Sequence, residues 1–496
     1  MSMHETAKVD ERTLPTDDKD TQAGDSEDSN AYGVELSKGR QTLLWVLAAI
    51  GIGLSLYAGF TTGEGPTLWG LLPIILYAVL SLLGMDIVVA TVIAIASGVT
   101  IAGLGPAEIG KVLGDSMADL ITVIGLIIML GAGVGEILKV TGVAKTIVRG
   151  VMRVFGDKRR WAIAYGIMTS CVVLVASLGT LAGAIAIASP ILLPIAARMK
   201  FTKSATAMMM FIGGASGLAV APFAGSNVAI MEAANVSYLQ YLQYGAGPIA
   251  ILSMLLGYPV VLFIQRLSAK HDDYYTDAEI GLADDVEIPK NAGRSTAVFL
   301  LALVASVVYA TWMEAGTTFP LLALPFLGLV TGLAGGLGLT DILKHFYKGC
   351  ASLVSIFILF WMLAALFIMI DTLAPFDVIL ETYGEGLASG SRFLFTILIA
   401  LLGWVGIPGA TAAQVVLLNE VFGPLATTMG VSAGAWVVVL LFASKADTYG
   451  PFPNGNMIGV MGMARSKNLR NMLIGGWLLL IPATILYAAI LFVEAM

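Results

Sequence analysis

Ala-Pro-Phe-Ala-Gly-Ser-Asn at residues 221–227 and Tyr-Gly-Pro-Phe-Pro-Asn-Gly-Asn at residues 449–456 interrupt two otherwise apolar segments. Proline removes a backbone donor and clashes with the preceding helical turn, so each stretch predicts a break within a helix. In a membrane, non-helical backbone survives only where it is buried in protein or lines a wet cavity. The two stretches therefore predict a site enclosed within a membrane protein.

The composition agrees with a chain that lies mostly in a bilayer. Of its 496 residues, 57% are hydrophobic and 12% are charged, and the mean hydropathy is +0.87. A spanning helix needs about 20 predominantly apolar residues. Such runs lie at residues 42–60, 67–83, 86–104, 119–138, 248–266, 295–313, 320–338, 351–370 and 472–493. The fold class predicted is an all-α polytopic membrane protein.

Basic residues in short loops predict the orientation, because Lys and Arg are enriched on the cytoplasmic side. Basic clusters at 139–160 and 198–203 place both ends of the segment 161–198 in the cytoplasm, so this segment is predicted to be a re-entrant hairpin. The acidic loop after residue 371 faces outward, and the segment 391–427 is predicted to enter from that side. The total is about 11 transmembrane helices plus two re-entrant hairpins.

The two halves also resemble each other in sequence. A shift of 229 residues places Pro222 and Asn227 on Pro451 and Asn456, and a shift of 230 places Thr202 on Ser432. With the opposite orientations, this favours two inverted repeats, a common plan for transporters. Two unrelated helical bundles are the alternative.

These observations divide the chain into five parts. Residues 1–41 form an acidic, disordered cytoplasmic tail; N-terminal membrane helices (42–118), a first repeat half (119–266), a cytoplasmic linker (267–294) and a second, inverted half (295–496) follow. An odd number of crossings places the two termini on opposite sides of the membrane. Because the basic loops are cytoplasmic, the N-terminus is expected in the cytoplasm and the C-terminus outside. The expected location is the cell's inner membrane, with the lipid bilayer as the surrounding partner.

The breaks and the hairpin turns supply the candidate binding residues. Half-helices that end at a break leave free N–H groups, which attract anions, and free carbonyls, which ligate cations. Short polar side chains beside them add donors and acceptors. The candidates are Gly179, Thr180, Ser226, Asn227, Gly409, Thr411, Asp447, Asn454 and Asn456. The alternative is that Pro and Gly only kink these helices.

Asp447 is the ionisable candidate, and it lies beside the second break at apparent membrane depth. Charge at that depth usually marks an ion or substrate pathway. A salt bridge with Lys445 is the alternative, although residues two apart do not share a helix face. We expect Asp447 to carry or sense the coupling ion, H+ or Na+.

Enzyme, metal and nucleic-acid signals are missing from the sequence. Residues 105–111 have the spacing of a phosphate-binding loop, but Val112 stands where Ser or Thr is required. The histidines and the two cysteines lack metal-site spacing, and no basic stripe suggests nucleic acid. No enzyme activity, cofactor or metal is expected.

The motifs resemble those of the ion transporter superfamily of secondary carriers, which includes divalent-anion/sodium symporters, gluconate permeases and sodium/proton antiporters. The resemblance is carried by residues 176–180, 222–227, 409–411 and 451–456, and Pro-Gly-Ala-Thr-Ala-Ala at 408–413 is more similar to the gluconate permeases. The dicarboxylate carriers have Ser-Asn-Thr at both hairpin tips, where this chain has Leu-Gly-Thr and Gly-Ala-Thr. The resemblance implies an elevator-like carrier and a homodimer.

The function expected from these features is proton- or sodium-coupled symport of a small organic anion, a sugar acid or carboxylate. A sodium/proton antiporter is the alternative. A membrane-embedded enzyme is a third hypothesis, which no catalytic constellation supports.

Overall fold

The computed structural model describes residues 38–61, 65–156, 159–276, 288–313, 315–375, 377–379, 381–382, 390–403, 411–450 and 454–495, with the backbone alone at residues 82, 445–447 and 495. The described residues form helices joined by short turns, without β-strands. The acidic tail and the centre of the linker lie outside the described residues.

The described part of the first half contains eleven α-helices. They are α1 (Lys38–Thr61), α2 (Leu72–Leu82), α3 (Ile87–Ala102), α4 (Pro106–Asp115), α5 (Leu120–Val140), α6 (Val143–Phe155), α7 (Arg160–Leu178), α8 (Leu181–Arg198), α9 (Lys203–Ala219), α10 (Gly225–Ala233) and α11 (Tyr238–Ala269). Helix α11 contains one π-helical turn, Leu242–Ala246.

The second half contains nine described helices. They are α12 (Ala292–Trp312), α13 (Pro320–Ala334), α14 (Leu339–Ala351), α15 (Val354–Leu373), α16 (Arg392–Leu402), α17 (Thr411–Thr428), α18 (Ala433–Tyr449), α19 (Gly455–Met463) and α20 (Leu469–Ala495).

The length and apolar composition of the helices confirm a polytopic membrane protein. Eight described helices are long and apolar enough to cross a membrane, and five more apolar helices are shorter. The nine apolar runs of the sequence correspond to helices α1, α2, α3, α5, α11, α12, α13, α15 and α20. Helices α7 and α8 are themselves of spanning length, so that their hairpin re-enters the membrane stays a prediction.

Three helices were not recognised in the sequence, because their apolar residues cover only one face. Helix α6 occupies the basic segment that was interpreted as a loop, with Val143, Ala144, Ile147 and Val148 buried and the basic side chains on the other face. Helices α4 and α14 are amphipathic too. A helix with one apolar face and one charged face fits a membrane surface rather than its interior.

Helix bounds repeat between the two halves with an offset of 230 residues. Helices α8, α9 and α10 begin and end 230 residues before α17, α18 and α19, respectively. The side chains of Thr202 and Ser432 cap the starts of α9 and α18 in the same way, each accepting a hydrogen bond from the amide three residues on. The offset seen at helix ends is thus 230, one more than the match of Pro222 to Pro451 indicates.

The turns between the repeated helices also correspond. Left-handed residues follow α8 and α17 at Lys200 (φ 57°) and Gly430 (φ 68°), and follow α10 and α19 at Asn235 (φ 49°) and Arg465 (φ 57°). A left-handed residue at a helix C-terminus lets the next amides bond back to the last-turn carbonyls. The same backbone device therefore ends the same helices in both halves.

The packing between the halves is reciprocal. Helix α10 packs against α17, the second helix of the other half's hairpin, and α19 packs against α8. Helices α11 and α20 pack against each other, as do α5 and α15. These are the contacts that a pseudo-two-fold axis between the halves produces.

Candidate binding site at the helix breaks

The first hairpin turns at Gly179 and Thr180, between α7 and α8. Gly179 has φ +69°, and its N–H donates to the carbonyl of Val175 at 2.8 Å. A Cβ on this glycine would lie 3.4 Å from the Cα of Ala224. Glycine therefore permits both the left-handed turn and the contact of the hairpin tip with the first helix break.

Two helices begin beside this contact without side-chain caps. Thr180 precedes α8 and Ala224 precedes α10, and neither side chain accepts a hydrogen bond from the helix that follows. The first amides of a helix have no partner within it and carry partial positive charge. The half-buried Ser226 hydroxyl makes one long hydrogen bond, 3.4 Å, to Asn227 Oδ1. Unused donors are thus concentrated where α8 and α10 begin.

Asn227 closes the other end of the first break. Its side chain is 1% exposed, and its Nδ2 donates to the carbonyls of Leu218 and Ala221 at 2.8 Å and of Ala219 at 3.3 Å. Leu218 and Ala219 end helix α9 and Ala221 follows it, so these carbonyls lack the i+4 amide of a continuing helix; that of Leu218 also accepts from the amides of Val220 and Ala221. Asn227 therefore stabilises the break as well as lying beside the candidate site.

Two tyrosines at the start of α11 complete this arrangement. The hydroxyl of Tyr238 donates to the carbonyl of Val220 at 2.6 Å, and that of Tyr241 donates to Ala219 at 2.8 Å. Their rings stack with centroids 6.4 Å apart. Four consecutive carbonyls, at residues 218–221, consequently each receive a side-chain donor.

The second break is held differently. Asn454 is 4% exposed; its Oδ1 accepts from the amide of Met457 at 2.8 Å, and its Nδ2 lies 3.5 Å from the carbonyl of Thr448. Asn456 is the second residue of α19 and is half-buried. The contact of Asn227 with a helix end is therefore reproduced by Asn454, and Asn456 is not its structural counterpart as the 229-residue match predicted.

The remaining candidates belong to the second half. Thr411 is the half-buried first residue of α17. Gly409 lies outside the described residues, and so does the side chain of Asp447, whose backbone belongs to α18. The expectations for Gly409 and Asp447 stay predictions.

A buried glutamine that sequence reasoning missed lies on α17, the second helix of the second hairpin. Gln414 is 2% exposed, and its Nε2 donates to the carbonyl of Gly403 at 2.8 Å and approaches that of Ala443 at 3.5 Å. Its Oε1 is buried and receives no hydrogen bond from the described residues. A buried unpaired acceptor costs about 1–3 kcal/mol, so this oxygen is suited to accept a ligand's donor or a cation.

The packing brings four of the candidates together at the first break, Gly179, Thr180, Ser226 and Asn227. In the second half, Thr411 begins α17, and Asn454 and Asn456 lie at the start of α19. Because α10 contacts α17 and α19 contacts α8, the broken helix of each half lies beside the hairpin of the other half. Within the described part of the chain, no group of three or more His, Cys, Asp or Glu side chains could hold a metal ion.

Comparison with known proteins identifies the family. The model of the C4-dicarboxylate anaerobic carrier family, DcuC, matches residues 98–494. The chain belongs to the C4-dicarboxylate anaerobic carrier family. That places it among the secondary carriers, as the sequence predicted.

A solved structure shares the fold. The YdaH transporter of Alcanivorax borkumensis, whose crystal structure was described as having an unusual topology, aligns with a TM-score of 0.56 at 16% identity. The alignment covers 91% of this chain and 98% of the YdaH chain. No match was found among curated proteins.

The family also bears on the finer expectations. Its description names C4-dicarboxylates, so the similarity of residues 408–413 to gluconate permeases is not confirmed. The prediction of a carrier for a small organic anion agrees with the family, while the sodium/proton antiporter has no support from it.

Proposed function

We propose that this chain is a secondary active carrier of C4-dicarboxylates in the cell's inner membrane, coupled to H+ or Na+. The observation that supports this most strongly is the pair of helices, α8 and α10, that begin uncapped beside the tip of the first hairpin. Helix N-termini bind carboxylates without a basic side chain. The family, whose described substrates carry two carboxylates, supports the same conclusion.

One carboxylate of the substrate binds, in this proposal, at the first break. The amides that begin α8 and α10 donate to its oxygens. Thr180 precedes α8 and Ser226 is the second residue of α10, so their hydroxyls can donate to the same carboxylate. Charge-assisted hydrogen bonds of this kind are about twice as strong as neutral ones. The second carboxylate binds in the other half, near Thr411 and Asn456.

The coupling ion belongs in the second half. Asp447 is the ionisable candidate there, and the unpaired Gln414 oxygen is a second acceptor. A coupling cation beside the second carboxylate offsets its charge, which makes dicarboxylate and cation bind together. Transport is then symport.

The movement proposed is elevator-like, with the two hairpins and two broken helices travelling as a unit. Helix α9 packs against α7 and α11, and α18 packs against α16 and α20, whereas α5 packs against α13, α14 and α15. Helix α5 also contacts α8 and α10, so in this proposal the moving unit slides along α5, which belongs to the frame. We propose a homodimer in which the frames of two copies meet.

Uptake into proteoliposomes tests the function. Purified carrier is reconstituted, and entry of radiolabelled succinate is measured under an inward proton gradient, an inward sodium gradient, both and neither. We expect succinate to accumulate above equilibrium with at least one gradient. Cation exchange without succinate entry would instead support an antiporter.

A further inference from the structure

The two helix breaks differ in how their carbonyl ends are covered. In the first half, the carbonyls of residues 218–221 receive donors from Asn227, Tyr238 and Tyr241. Among the described residues, the corresponding end of α18 receives one side-chain donor, Asn454, at 3.5 Å. Helix bounds are conserved between the repeats, so this difference lies in the side chains.

The tyrosine pair has no equivalent in the second repeat. Helix α20, which follows α19 as α11 follows α10, begins with Leu469, Arg470, Asn471 and Met472. The side-chain Nδ2 of Asn471 donates to Ser204 Oγ instead. Helix α20 has no π-helical turn in its described residues, whereas α11 has one immediately after Tyr241. Such turns are often found at functional sites, where they re-aim side chains.

The charge at a helix break depends on which end is exposed. A helix C-terminus carries partial negative charge, and the next helix begins with partial positive charge. An anion at the break is repelled by the first and attracted by the second. Donors bonded to the carbonyls reduce the repulsion and also use a lone pair of each oxygen that could otherwise bind a cation.

We propose that Tyr238 and Tyr241 are positioning residues that cover the carbonyl end of α9 and so make the first half of the site selective for a carboxylate, without help from a cation. This inference rests on the proposed function. It assigns the binding of the coupling cation to the second half. There the C-terminal end of α18 receives fewer side-chain donors from the described residues than the end of α9 does. The phenols act through the backbone carbonyls and do not touch the substrate.

Hydroxyl deletion tests the inference. Tyr238→Phe and Tyr241→Phe keep the rings and remove one donor each, and Tyr244→Phe is the matched control, because the Tyr244 ring packs beside Gly434 rather than at the break. We expect each of the first two variants to raise the KM for succinate about 3- to 10-fold with kcat nearly unchanged, by loss of about one hydrogen bond. Tyr244→Phe should leave both constants unchanged.

A binding measurement keeps this test separate from the proposed function. Thermal unfolding of the purified carrier is followed with succinate, sulfate, phosphate or chloride, in sodium-free and sodium-containing buffer. We expect at least one of these anions to raise the melting temperature of the wild type in both buffers. The same anion should raise the melting temperatures of Tyr238→Phe and Tyr241→Phe by less. Anion stabilisation that is equal in wild type and both variants, or no anion stabilisation of the wild type at all, overturns the inference.

The outcomes are distinguishable. If the wild type binds an anion and the variants bind it more weakly, but no succinate is transported, the proposed function fails and the role of the phenols stands. If succinate is transported with the same KM by wild type and both variants, the proposed function stands and the role of the phenols fails. A variant that is too unstable to purify is replaced by the other, and Tyr238, being only half-buried, is the safer position.

Discussion

At the scale of single residues, the candidate site contains neutral polar side chains of two kinds. Some donate hydrogen bonds to backbone carbonyls, and others make no such bond and can contact a ligand. Asn227 belongs to the first class, since its amide holds three carbonyls. Asn456 belongs to the second, because its side chain makes no hydrogen bond to the described part of the chain. The same residue type thus has two roles at the two breaks.

Alanine at these two asparagines should separate stability from binding. Asn227→Ala leaves the Leu218 and Ala221 carbonyls without their side-chain donor, which should cost about 1–3 kcal/mol in stability and impair transport. Asn456→Ala should keep the melting temperature and weaken succinate uptake. Thermal unfolding and uptake kinetics of both variants provide the measurement; an equal loss of stability in both would contradict the assignment.

Gln414 makes a second residue-scale prediction. Gln414→Leu keeps the approximate size, removes the unpaired Oε1 and loses the donor to the Gly403 carbonyl. These effects on stability oppose each other, so we expect a change in the free energy of unfolding within about 1 kcal/mol and a clear fall in cation-driven uptake. Retained uptake with unchanged cation dependence would show that the orphan oxygen has no role in transport.

At the scale of helices, close packing makes the start of α10 in the first half less tolerant of an added side chain than the start of α19 in the second half. A Cβ on Gly225, the first residue of α10, would clash with Cγ1 of Ile128 on α5. A Cβ on the equivalent Gly455 of α19 would meet no atom of the described residues within 4 Å. Ile is branched and stiff at χ1, so the clash cannot be relieved by a small rotation.

The two glycines therefore form a matched pair. We expect Gly225→Ala to displace the start of α10, to destabilise the carrier by about 1–3 kcal/mol and to reduce succinate uptake, while Gly455→Ala leaves the packing intact. Expression, thermal unfolding and uptake are compared for the two variants. Equal behaviour would show that the start of α10 is not fixed by α5.

The sequence predicted the helices that are apolar on all sides, but not those with a single apolar face. The apolar run 119–138 corresponds to α5. Helix α6 was not recognised because it lies in a basic segment, where apolar residues spaced along one helix face alternate with basic residues. The site was predictable where proline and glycine interrupt a helix. The donors from Tyr238 and Tyr241 were not, because their acceptors are backbone carbonyls 18 and 22 residues away in the chain. Gln414 left a signal that was overlooked, an isolated amide in the apolar run 412–418.

At the scale of the whole molecule, the repeat and the sidedness are linked. If each broken helix crosses once and neither hairpin crosses, as the sequence predicts, the described helices make about 11 crossings. An odd number places the termini on opposite sides. The basic α6 segment and the basic turn after α19 then lie on the same side, as the enrichment of Lys and Arg in cytoplasmic loops requires.

Reporter fusions check this arrangement. We expect a reporter after residue 496 to be active outside the cytoplasm and a reporter before residue 1 to be active within it. A third fusion in the linker, at residues 277–287, should report the cytoplasm. Both termini on one side would remove the assignment of the hairpins as non-crossing elements.

The central claim is that the carrier binds both carboxylates of a C4-dicarboxylate, one in each half of the site. Competition against radiolabelled succinate uptake tests it most directly, with unlabelled succinate and butyrate as competitors of equal chain length that differ by one carboxylate. Loss of a carboxylate leaves the donors of one half unpaired, so we expect butyrate to compete at least about 30-fold more weakly, by loss of about 2 kcal/mol of charge-assisted hydrogen bonding. Equal competition by butyrate and succinate would contradict the account.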